Sequence, residues 1–519
     1  MSAIHPRAVK DFLARKRDSH LWMKKLTDAE LDSLLEDLKF KPARKKPGLD
    51  KHQKVCIILG ILYECFAFWL DMGGGKTRVA LELLNYWYKR KKLKQGLILG
   101  PSESVINGWE KQIEYWNIKI PFVTLMNGAT ADKWDTVAEL DKGLIIASYA
   151  GLSRMVSKLK RNKKKKKNEL KTNKSLLQRL NKHLDAVVLD EATKIGNHGS
   201  LFYKSVVKTS KNSKFRLELA GRPFGRDPQM LWSQMYMIDR GYTLGETLGI
   251  FRAALFETKK NYWGGYDHKF KKENRKLLRK IVRHRSIQYS EKEMGHKFKK
   301  TNQLEEVSLP DEAQAYYEQA LKLLKRVHAG YKERENAFIR MRQISSGFLG
   351  MENDTTGDKI SVEFADNPKR DRLIELIQEM PEKRKGVIFH EFIPSGNIIE
   401  KALKKHKIKY LRLKAGIKNT KEIERKFDND PSYKVLLTSH RLSAYGSNYQ
   451  VANYLFVYEA PVPVIDDEQM RKRLPRKGQK RTVHEYDLVC RDTVDGRILA
   501  FHAQGQNLFD AVIRNRVKL

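Results

Sequence analysis

The chain alternates between short apolar runs and longer stretches with helical spacing. Four apolar runs lie between residue 49 and about 245, namely Leu97–Leu99, Leu144–Ala147, Ala186–Leu189 and Leu217–Leu219, and helical stretches such as Arg78–Tyr88 separate them. Strands that alternate with helices favour a mostly parallel sheet covered on both faces. The pattern therefore predicts an α/β domain over residues 49–245.

The alternation stops at about residue 246 and returns at about residue 376. The intervening sequence is charged and helix-like, as in Glu312–Arg334, and predicts a helical insertion over residues 246–375. Three buried-strand candidates follow: Gly386–Phe389, Val435–Thr438 and Tyr454–Tyr458. We therefore expect a second α/β domain over residues 376–519.

Two further segments stand apart from this alternation. Residues 1–48 read as a helical N-terminal extension, with a capped amphipathic turn at Asp28–Leu35 and a basic linker at Lys41–Pro47. The run Lys158–Lys167 has the sequence KLKRNKKKKK. We expect a solvated, mobile loop there, which could add contacts with phosphates.

The charge of the chain points to its partner. Lys and Arg total 102 against 62 Asp and Glu, a net charge of +40 over 519 residues. Solubility alone needs a net charge of about 2 to 8 on a small domain. An excess this large favours a polyanion, and specifically nucleic acid, as the partner.

Cysteine usage and hydropathy bear on the compartment. Cys56, Cys65 and Cys490 are too few and too scattered for a disulfide framework or a zinc module. The N-terminal sequence has no apolar signal region, and no run of about 18 apolar residues occurs. These features predict a soluble intracellular protein without a membrane partner.

A glycine-rich segment precedes the first helical stretch of the α/β pattern. Its residues are Gly73, Gly74, Gly75, Lys76 and Thr77. Glycines let backbone N–H groups approach phosphates, the lysine neutralises the β- and γ-phosphates, and the threonine hydroxyl can ligate Mg²⁺. Leu70 stands where the general phosphate-loop pattern has its first glycine. We interpret the segment as a nucleotide-binding loop.

The apolar run Ala186–Leu189 ends in two carboxylates, Asp190 and Glu191. In an ATPase, Asp190 would hold hydrated Mg²⁺ and Glu191 would polarise the attacking water. The alternative is an acidic N-cap of a following helix. Beside a phosphate loop we favour the first interpretation, with ATP and Mg²⁺ as cofactors.

These motifs resemble the Swi/Snf-type helicase-like ATPases of helicase superfamily 2, in order from about residue 49 to residue 489. His52–Gln53 is similar to the segment that recognises adenine in the family, which implies this role for Gln53. The family's phosphate loop also lacks the first glycine, in agreement with Leu70. Further resemblance lies in Leu278–Arg285 and Arg340–Phe348.

The resemblance also implies contacts with a nucleic-acid backbone. Three segments carry it: Gly100–Ser102 with Trp109–Glu110, then Ala147–Tyr149, and finally Ser439–Asn448. Small hydroxyl side chains suit phosphate contacts. The implied contact residues are Pro101, Ser102, Ser148, Tyr149, Ser439 and Asn448.

The segment Gln469–Gln479 resembles the last motif of the family and implies that Arg473 and Arg476 reach the γ-phosphate. A guanidinium suits this role because its planar fork spreads positive charge over several oxygens. Two residues depart from the family pattern, because Thr193 replaces the usual histidine and Arg222 the usual threonine. Both departures concern the coupling of hydrolysis to movement.

The resemblance as a whole implies two RecA-like domains that hydrolyse ATP in the cleft between them and move along DNA. Duplex or forked DNA is expected over RNA, and protein partners stay open. No chromodomain, bromodomain or zinc-finger sequence flanks the motifs, as in a minimal motor of bacteria or their viruses. The expected location is therefore the bacterial cytoplasm or that of an infected host.

Three alternatives remain at this stage. The first is a helicase that separates or branch-migrates DNA strands, although no strand-separating element is identifiable in the sequence. The second is an RNA-directed ATPase. The third is an inactive DNA-binding scaffold, against which the set of catalytic candidates argues: Lys76, Asp190, Glu191, Arg473 and Arg476.

Overall fold

The computed structural model contains two compact units, Met1–His296 and Lys297–Leu519. It describes residues 20–101, 103–126, 128–162, 167–221, 228–260, 265–295, 299–325, 331–352, 359–414, 416–417, 419–443, 449–475 and 479–504. Each unit is built on one large parallel sheet with helices, which confirms the predicted α/β class. No helix within these ranges is both long and apolar enough to cross a bilayer.

The first unit contains eleven strands in its described part. They are β1 (Cys65–Leu70), β2 (Gln95–Gly100), β3 (Phe122–Leu125), β4 (Gly143–Ser148), β5 (Ser157–Asn162), β6 (Lys167–Thr172), β7 (Leu184–Asp190), β8 (Phe215–Ala220), β9 (Phe256–Lys260), β10 (Tyr266–Phe270) and β11 (Ser286–Tyr289). Seven form a parallel sheet in the order β11-β1-β8-β7-β2-β4-β3. The inner strands β2 and β4 are buried at every position, since helices cover both faces.

Helices of the first unit connect these strands. They are α1 (Asp28–Asp37), α2 (Lys51–Tyr63), α3 (Lys76–Lys89), α4 (Glu103–Tyr115), α5 (Ala131–Ala138), α6 (Tyr149–Val156), α7 (Lys174–His183), α8 (Leu201–Thr209), α9 (Gln229–Asp239), α10 (Leu248–Leu255) and α11 (Arg275–Val282). Three short 3-10 helices lie at His20–Lys25, Ala192–Ile195 and Lys272–Asn274. Thr27 and Glu30 form a capping box at the start of α1, where the sequence predicts a capped turn.

The second unit has a six-stranded parallel sheet and a small hairpin. Its strands are β12 (Lys300–Val307), β13 (Phe348–Glu352), β14 (Lys359–Glu363), β15 (Gly386–His390), β16 (Tyr410–Leu413), β17 (Val435–Ser439), β18 (Tyr454–Val457) and β19 (Val483–Cys490). The sheet order is β12-β19-β18-β15-β17-β16, and β13 pairs with β14. Its helices are α12 (Asp311–Lys325), α13 (Tyr331–Ser345), α14 (Pro368–Glu379), α15 (Ile393–Lys405), α16 (Thr420–Asn429), α17 (His440–Ser443), α18 (Val464–Arg471) and α19 (Val494–Ala503).

The stretch from 246 to 375 contains more than the predicted helices. Strand β11 is an edge of the first sheet and β12 is an edge of the second, and the pairs β9–β10 and β13–β14 form hairpins. The helix-like segment Glu312–Arg334 contains most of α12 and the beginning of α13. These strands are short or polar, as edge strands often are, so they lack the apolar runs of the inner strands. The proposed domain limits stay predictions.

Both ends of the lysine-rich run are strands and not the loop that its composition predicts. Residues Lys158–Asn162 and Lys167 belong to the antiparallel pair β5–β6, which pairs from Ser157 with Thr172 to Asn162 with Lys167. Only residues 163–166 of the run lie outside the described ranges. Backbone pairing on a strand that continues directly from α6 therefore overrides the low intrinsic strand preference of lysine.

Candidate nucleotide-binding and catalytic site

The glycine-rich loop connects β1 to α3. Gly73 and Gly75 adopt left-handed backbone conformations, with φ of 81° and 71°. The N–H of Gly74 donates to the carbonyl of Asp71 at 3.1 Å, and Gly75 is the N-cap residue of α3. This 14-residue helix starts at Lys76, so the loop lies at the positive end of the helix dipole. This is the geometry that an anion-binding loop needs.

Helix α2 holds the loop from one side. The ring Nε2 of buried His52 donates to the carbonyl of Gly74 at 2.8 Å. The side chain of Gln53 is also buried, and its Oε1 accepts the N–H of Asp50 at 3.1 Å in a capping box. A methyl group on Gly75 would lie 2.2 Å from Nε2 of Gln53. Gln53 therefore packs against the phosphate loop, and the adenine contact implied for it stays a prediction.

The turn after β11 holds the loop from the other side. The N–H of Asp71 donates to the carbonyl of Tyr289 at 3.0 Å, and the N–H of Glu291 donates to the Asp71 carboxylate at 3.2 Å. A methyl group on Gly74 would lie 2.7 Å from the sulfur of Met294. Sequence reasoning missed this support, because residues 289–294 are distant in sequence and resemble no motif, and it gave His52 no role in holding the loop.

Strand β7 places Asp190 at the same sheet edge as the loop. β7 and β1 are separated by β8 alone, which corresponds to about 10 Å between their strand axes. Asp190 lies within the electrostatic range of Lys76, whose Nζ donates to the carbonyl of Leu70 at 2.9 Å. Burial, and after it the charge of Glu191, raise the pKa of the Asp190 carboxyl. A cation at this position would offset both effects.

The two carboxylates differ in their surroundings. Asp190 accepts from Nε1 of Trp109 at 2.9 Å through Oδ2, and from the N–H of Glu191 at 3.0 Å through Oδ1. Glu191 is half-buried, has a left-handed φ of 49°, and precedes the 3-10 helix Ala192–Ile195. Such a φ in a non-glycine residue is uncommon, and it turns the side chain away from the strand direction.

Two predicted nucleic-acid contacts make internal hydrogen bonds instead. The hydroxyl of Ser148 accepts the N–H of Gly151 at 2.9 Å as the N-cap of α6, and the hydroxyl of Tyr149 donates to the carbonyl of Asp190 at 2.9 Å. Each residue is 1% exposed. Only their backbone could contact a phosphate in this conformation, so the implied side-chain contacts remain predictions. Tyr149 instead supports the end of β7.

The remaining predicted residues are spread over both units. Pro101 is half-buried after β2, and Ser439 is half-buried at the end of β17, where its Oγ accepts the N–H of Leu442 at 3.4 Å. Arg473 is 3% exposed, two residues after the end of α18. The following predicted residues lie outside the described ranges: Ser102, Arg222, Asn448 and Arg476.

The described residues fit a divalent cation held jointly with phosphates. No group of three or more His, Cys, Asp or Glu in the described ranges could form a metal site of its own. The half-buried Asp190 carboxylate and the Thr77 hydroxyl at the start of α3 supply two oxygen ligands at one sheet edge. Mg²⁺ is usually bound by one or two protein oxygens, with phosphates and water completing its shell.

Comparison with known proteins finds similar sequences in two Mycoplasma species. An uncharacterized ATP-dependent helicase of Mycoplasma genitalium is 26% identical over 451 residues, which cover 84% of this chain and 39% of the relative. A homologue of the same description from Mycoplasma pneumoniae is 24% identical over 450 residues, with the same coverage of both chains. The chain thus spans about two fifths of the length of these relatives.

A similar solved structure is the SWI2/SNF2 ATPase core of Sulfolobus solfataricus in complex with double-stranded DNA. It has 21% sequence identity and a TM-score of 0.40, and the match covers 92% of this chain and 95% of that one. The family profile described as the SNF2-related domain matches residues 67–361, which is more than half of the chain and runs from within β1 to within β14. The chain belongs to the SNF2-related family.

Proposed function

We propose that this chain is an ATP-hydrolysing motor that moves along DNA. The observation that carries the proposal is the meeting of two features at one sheet edge. One is a loop with left-handed Gly73 and Gly75 at the start of a helix, and the other is the half-buried carboxylate of Asp190 within the electrostatic range of Lys76. Together they can receive a triphosphate and its counter-cation.

Each residue has a role in this proposal. The loop N–H groups and Lys76 bind the β- and γ-phosphates, and Lys76 leaves its hydrogen bond to Leu70 in order to do so. Asp190 and Thr77 hold Mg²⁺, which supplies charge neutralisation to the phosphates when bound. Glu191 orients and deprotonates the attacking water. Arg473 and Arg476 of the second unit complete the site on the γ-phosphate when the motor closes.

DNA is the proposed track because of the positive charge of the chain and the description of its relatives. The net charge of +40 suits a polyanion, and the Mycoplasma relatives are described as ATP-dependent helicases. Closure of the two units on ATP and their opening after hydrolysis would move the chain along the DNA backbone.

ATPase rates measured in parallel test the proposal. The conditions are no polymer, single-stranded DNA, duplex DNA, forked DNA and RNA. We expect strong stimulation by duplex or forked DNA, weak stimulation by RNA, and loss of activity in Lys76→Ala with DNA binding retained. Absence of stimulation by every polymer would refute the motor, and stimulation by RNA alone would show an RNA-directed ATPase.

A second candidate function is strand separation, and the β5–β6 hairpin favours it. The hairpin follows α6 directly, and the start of α6 carries the predicted backbone contacts Ser148 and Tyr149. A hairpin next to the track is a suitable wedge between two strands. Displacement of one strand from a labelled fork, measured with ATP, distinguishes this function from translocation on an intact duplex.

A further inference from the structure

A strip of positive charge runs along the first unit from β10 to the end of α11. In the 15 residues from Lys269 to Arg283, eight are cationic and one, Glu273, is acidic. All eight cations are exposed. We call them the basic strip: Lys269, Lys271, Lys272, Arg275, Lys276, Arg279, Lys280 and Arg283.

The strip is organised by the amphipathic helix α11. At about 100° per residue, its cations from Arg275 to Arg283 fall within an arc of about 140°. The opposite side carries Leu278, Ile281 and Val282, which are buried in the core of the first unit. The helix is thus fixed by its apolar face and presents its cations outward.

Ion pairs form in many parts of the described ranges, but none of them involves a residue of the basic strip. Exposed charges held at this density without counter-ions repel each other. A polyanion that neutralises them gains both Coulomb energy and the release of counterions.

A groove of about 1190 Å³ borders the strip and is lined by further cations from another element. Its lining includes Arg275, Arg279 and Arg283 of the strip, and also Lys24 and Lys25 of the 3-10 helix His20–Lys25. Glu293 is the single acidic residue among the described lining, and it is paired with Lys24 at 2.7 Å. The described lining of the groove therefore has a net positive charge.

The groove is distinct from the nucleotide site and from the predicted track residues of the first unit. Its described lining includes neither the phosphate-loop glycines nor Lys76, Asp190 or Glu191. It borders β11 and reaches Trp69 of β1, whereas the predicted track residues of the first unit lie at the ends of β2 and β4. β1 is three strand spacings from β2, or about 14 Å, and four from β4, or about 19 Å.

We propose that the basic strip and its groove form a second surface for a nucleic-acid backbone, used for a DNA segment other than the one under the motor. This inference rests on the proposed function, in which DNA is the polymer that the chain binds. Arginines at positions 275, 279 and 283 recur at four-residue spacing, about 6 Å along the helix, so one face offers a row of forked donors to successive phosphates. The surface would hold DNA near the motor between catalytic cycles.

The test compares two triple variants of equal charge. In R275Q/R279Q/R283Q, three cations of the strip are neutralised. In K89Q/K92Q/K94Q, three exposed lysines of the same unit near the start of β2 are neutralised, and they likewise form no ion pair in the described ranges. Binding of a fluorescent duplex without nucleotide is measured at several salt concentrations, with ATPase titrated against the same duplex.

We expect the strip variant to bind the duplex more weakly and to lower the slope of log affinity against log salt by about 2 to 3. Its half-saturating DNA concentration for ATPase should rise while the maximal rate is unchanged. Equal affinity and slope in the two triple variants would overturn the proposal. Binding of polyglutamate is measured for the same variants. If the strip variant loses polyglutamate binding but keeps full duplex binding, the proposal is overturned and the strip is identified as a surface for acidic proteins.

Failure of the proposed function is distinguishable from failure of this inference. If no polymer stimulates ATPase in the wild type, the motor is refuted, and the difference in duplex binding between the variants still reports on the strip. If duplex DNA stimulates all three proteins with equal half-saturation, the strip has no part in DNA binding and the motor stands. Equal melting temperatures of the variants show that both are folded.

Discussion

The indole Nε1 of Trp109 donates a 2.9 Å hydrogen bond to Oδ2 of Asp190. The bond links helix α4, which follows β2, to the end of β7, and Trp109 is fully buried. In the SNF2-related resemblance Trp109 belongs to a nucleic-acid motif, yet in the structure its polar atom orients the proposed Mg²⁺ ligand. One residue thus connects the predicted track to the nucleotide site.

Trp109→Phe removes this donor and keeps an aromatic ring in the core. A hydrogen bond to a charged group contributes about 1.5–3 kcal/mol, so we expect the ATPase rate to fall roughly tenfold or more, with a higher Mg²⁺ requirement. The matched control is Trp116→Phe, since Trp116 follows the same helix and donates to Gln112 at 2.8 Å. Equal Mg²⁺ dependence of the two variants, measured by steady-state ATPase, would contradict this role.

Gly75→Ala should abolish tight nucleotide binding. Its φ of 71° disfavours any side chain by about 1–2 kcal/mol, and the new methyl group would lie 2.2 Å from Nε2 of Gln53. We expect at least a tenfold loss of affinity for a fluorescent ATP analogue. Addition of Gln53→Ala removes the clash but not the backbone strain, so recovery should be partial.

The control for this change is Gly108→Ala. A methyl group at Gly108 meets nothing within 4 Å, and the residue lies inside helix α4. Alanine should therefore stabilise the helix by roughly 0.5–1 kcal/mol and leave nucleotide affinity intact. Wild-type affinity in Gly75→Ala would show that the loop is not the phosphate site.

His390 should make the second unit sensitive to acid. It ends β15, is buried, and its Nδ1 donates to the carbonyl of Phe392 at 2.9 Å. Burial, with smaller contributions from the nearby Arg412 and His440, lowers its pKa to about 4. The unfolded chain takes up this proton at about pH 6.5. The contribution of neutral His390 to the free energy of unfolding is therefore complete above pH 6.5. It is lost as the pH falls towards 4, by at most about 3 kcal/mol.

Hydrogen exchange of peptides covering β15 measures this effect, after correction for intrinsic exchange rates. Protection should fall between pH 6.5 and pH 4.5 in the wild type. His390→Asn keeps a donor for the Phe392 carbonyl and removes the titrating group, so its protection should change less over the same interval. Parallel curves for the two proteins would exclude His390 as the source.

Shortening of the β5–β6 hairpin separates translocation from strand separation. Replacement of residues 160–169 by a short glycine-containing turn removes most of the paired backbone. If the hairpin is a wedge, displacement from a labelled fork should be lost while ATPase stimulated by intact duplex persists. Unchanged displacement would show that the hairpin does not act on the fork.

The sequence predicts the buried part of the fold well and its edges poorly. The runs Leu97–Leu99, Leu144–Ala147 and Val435–Thr438 become inner strands because helices cover both of their faces. Strand β12 has mostly exposed side chains and carries no apolar signal, and β11 has only four residues. Their place depends on partners far away in sequence, which no local pattern encodes.

A similar division applies to the candidate site. The loop glycines and Asp190 are recognisable because their chemistry needs these residue types next to a strand end. The supports of the site are not recognisable in this way, since His52, Tyr289 and Trp109 act through bonds formed only in the folded chain. The buried hydroxyls of Ser148 and Tyr149 show the converse, because residue type suggested phosphate contacts where folding assigns internal bonds.

Strand β12 also fixes the order in which the protein matures during synthesis. All strands of the first sheet have been made once Tyr289 is added, but β12 pairs with β19, about 183 residues later. At 5–20 residues per second the ribosome needs roughly 10–40 s for that interval. All strands of the first sheet are thus present in a nascent chain in which β12 still lacks its partner strand β19. The polar side chains of β12 protect it from pairing with other chains during this interval.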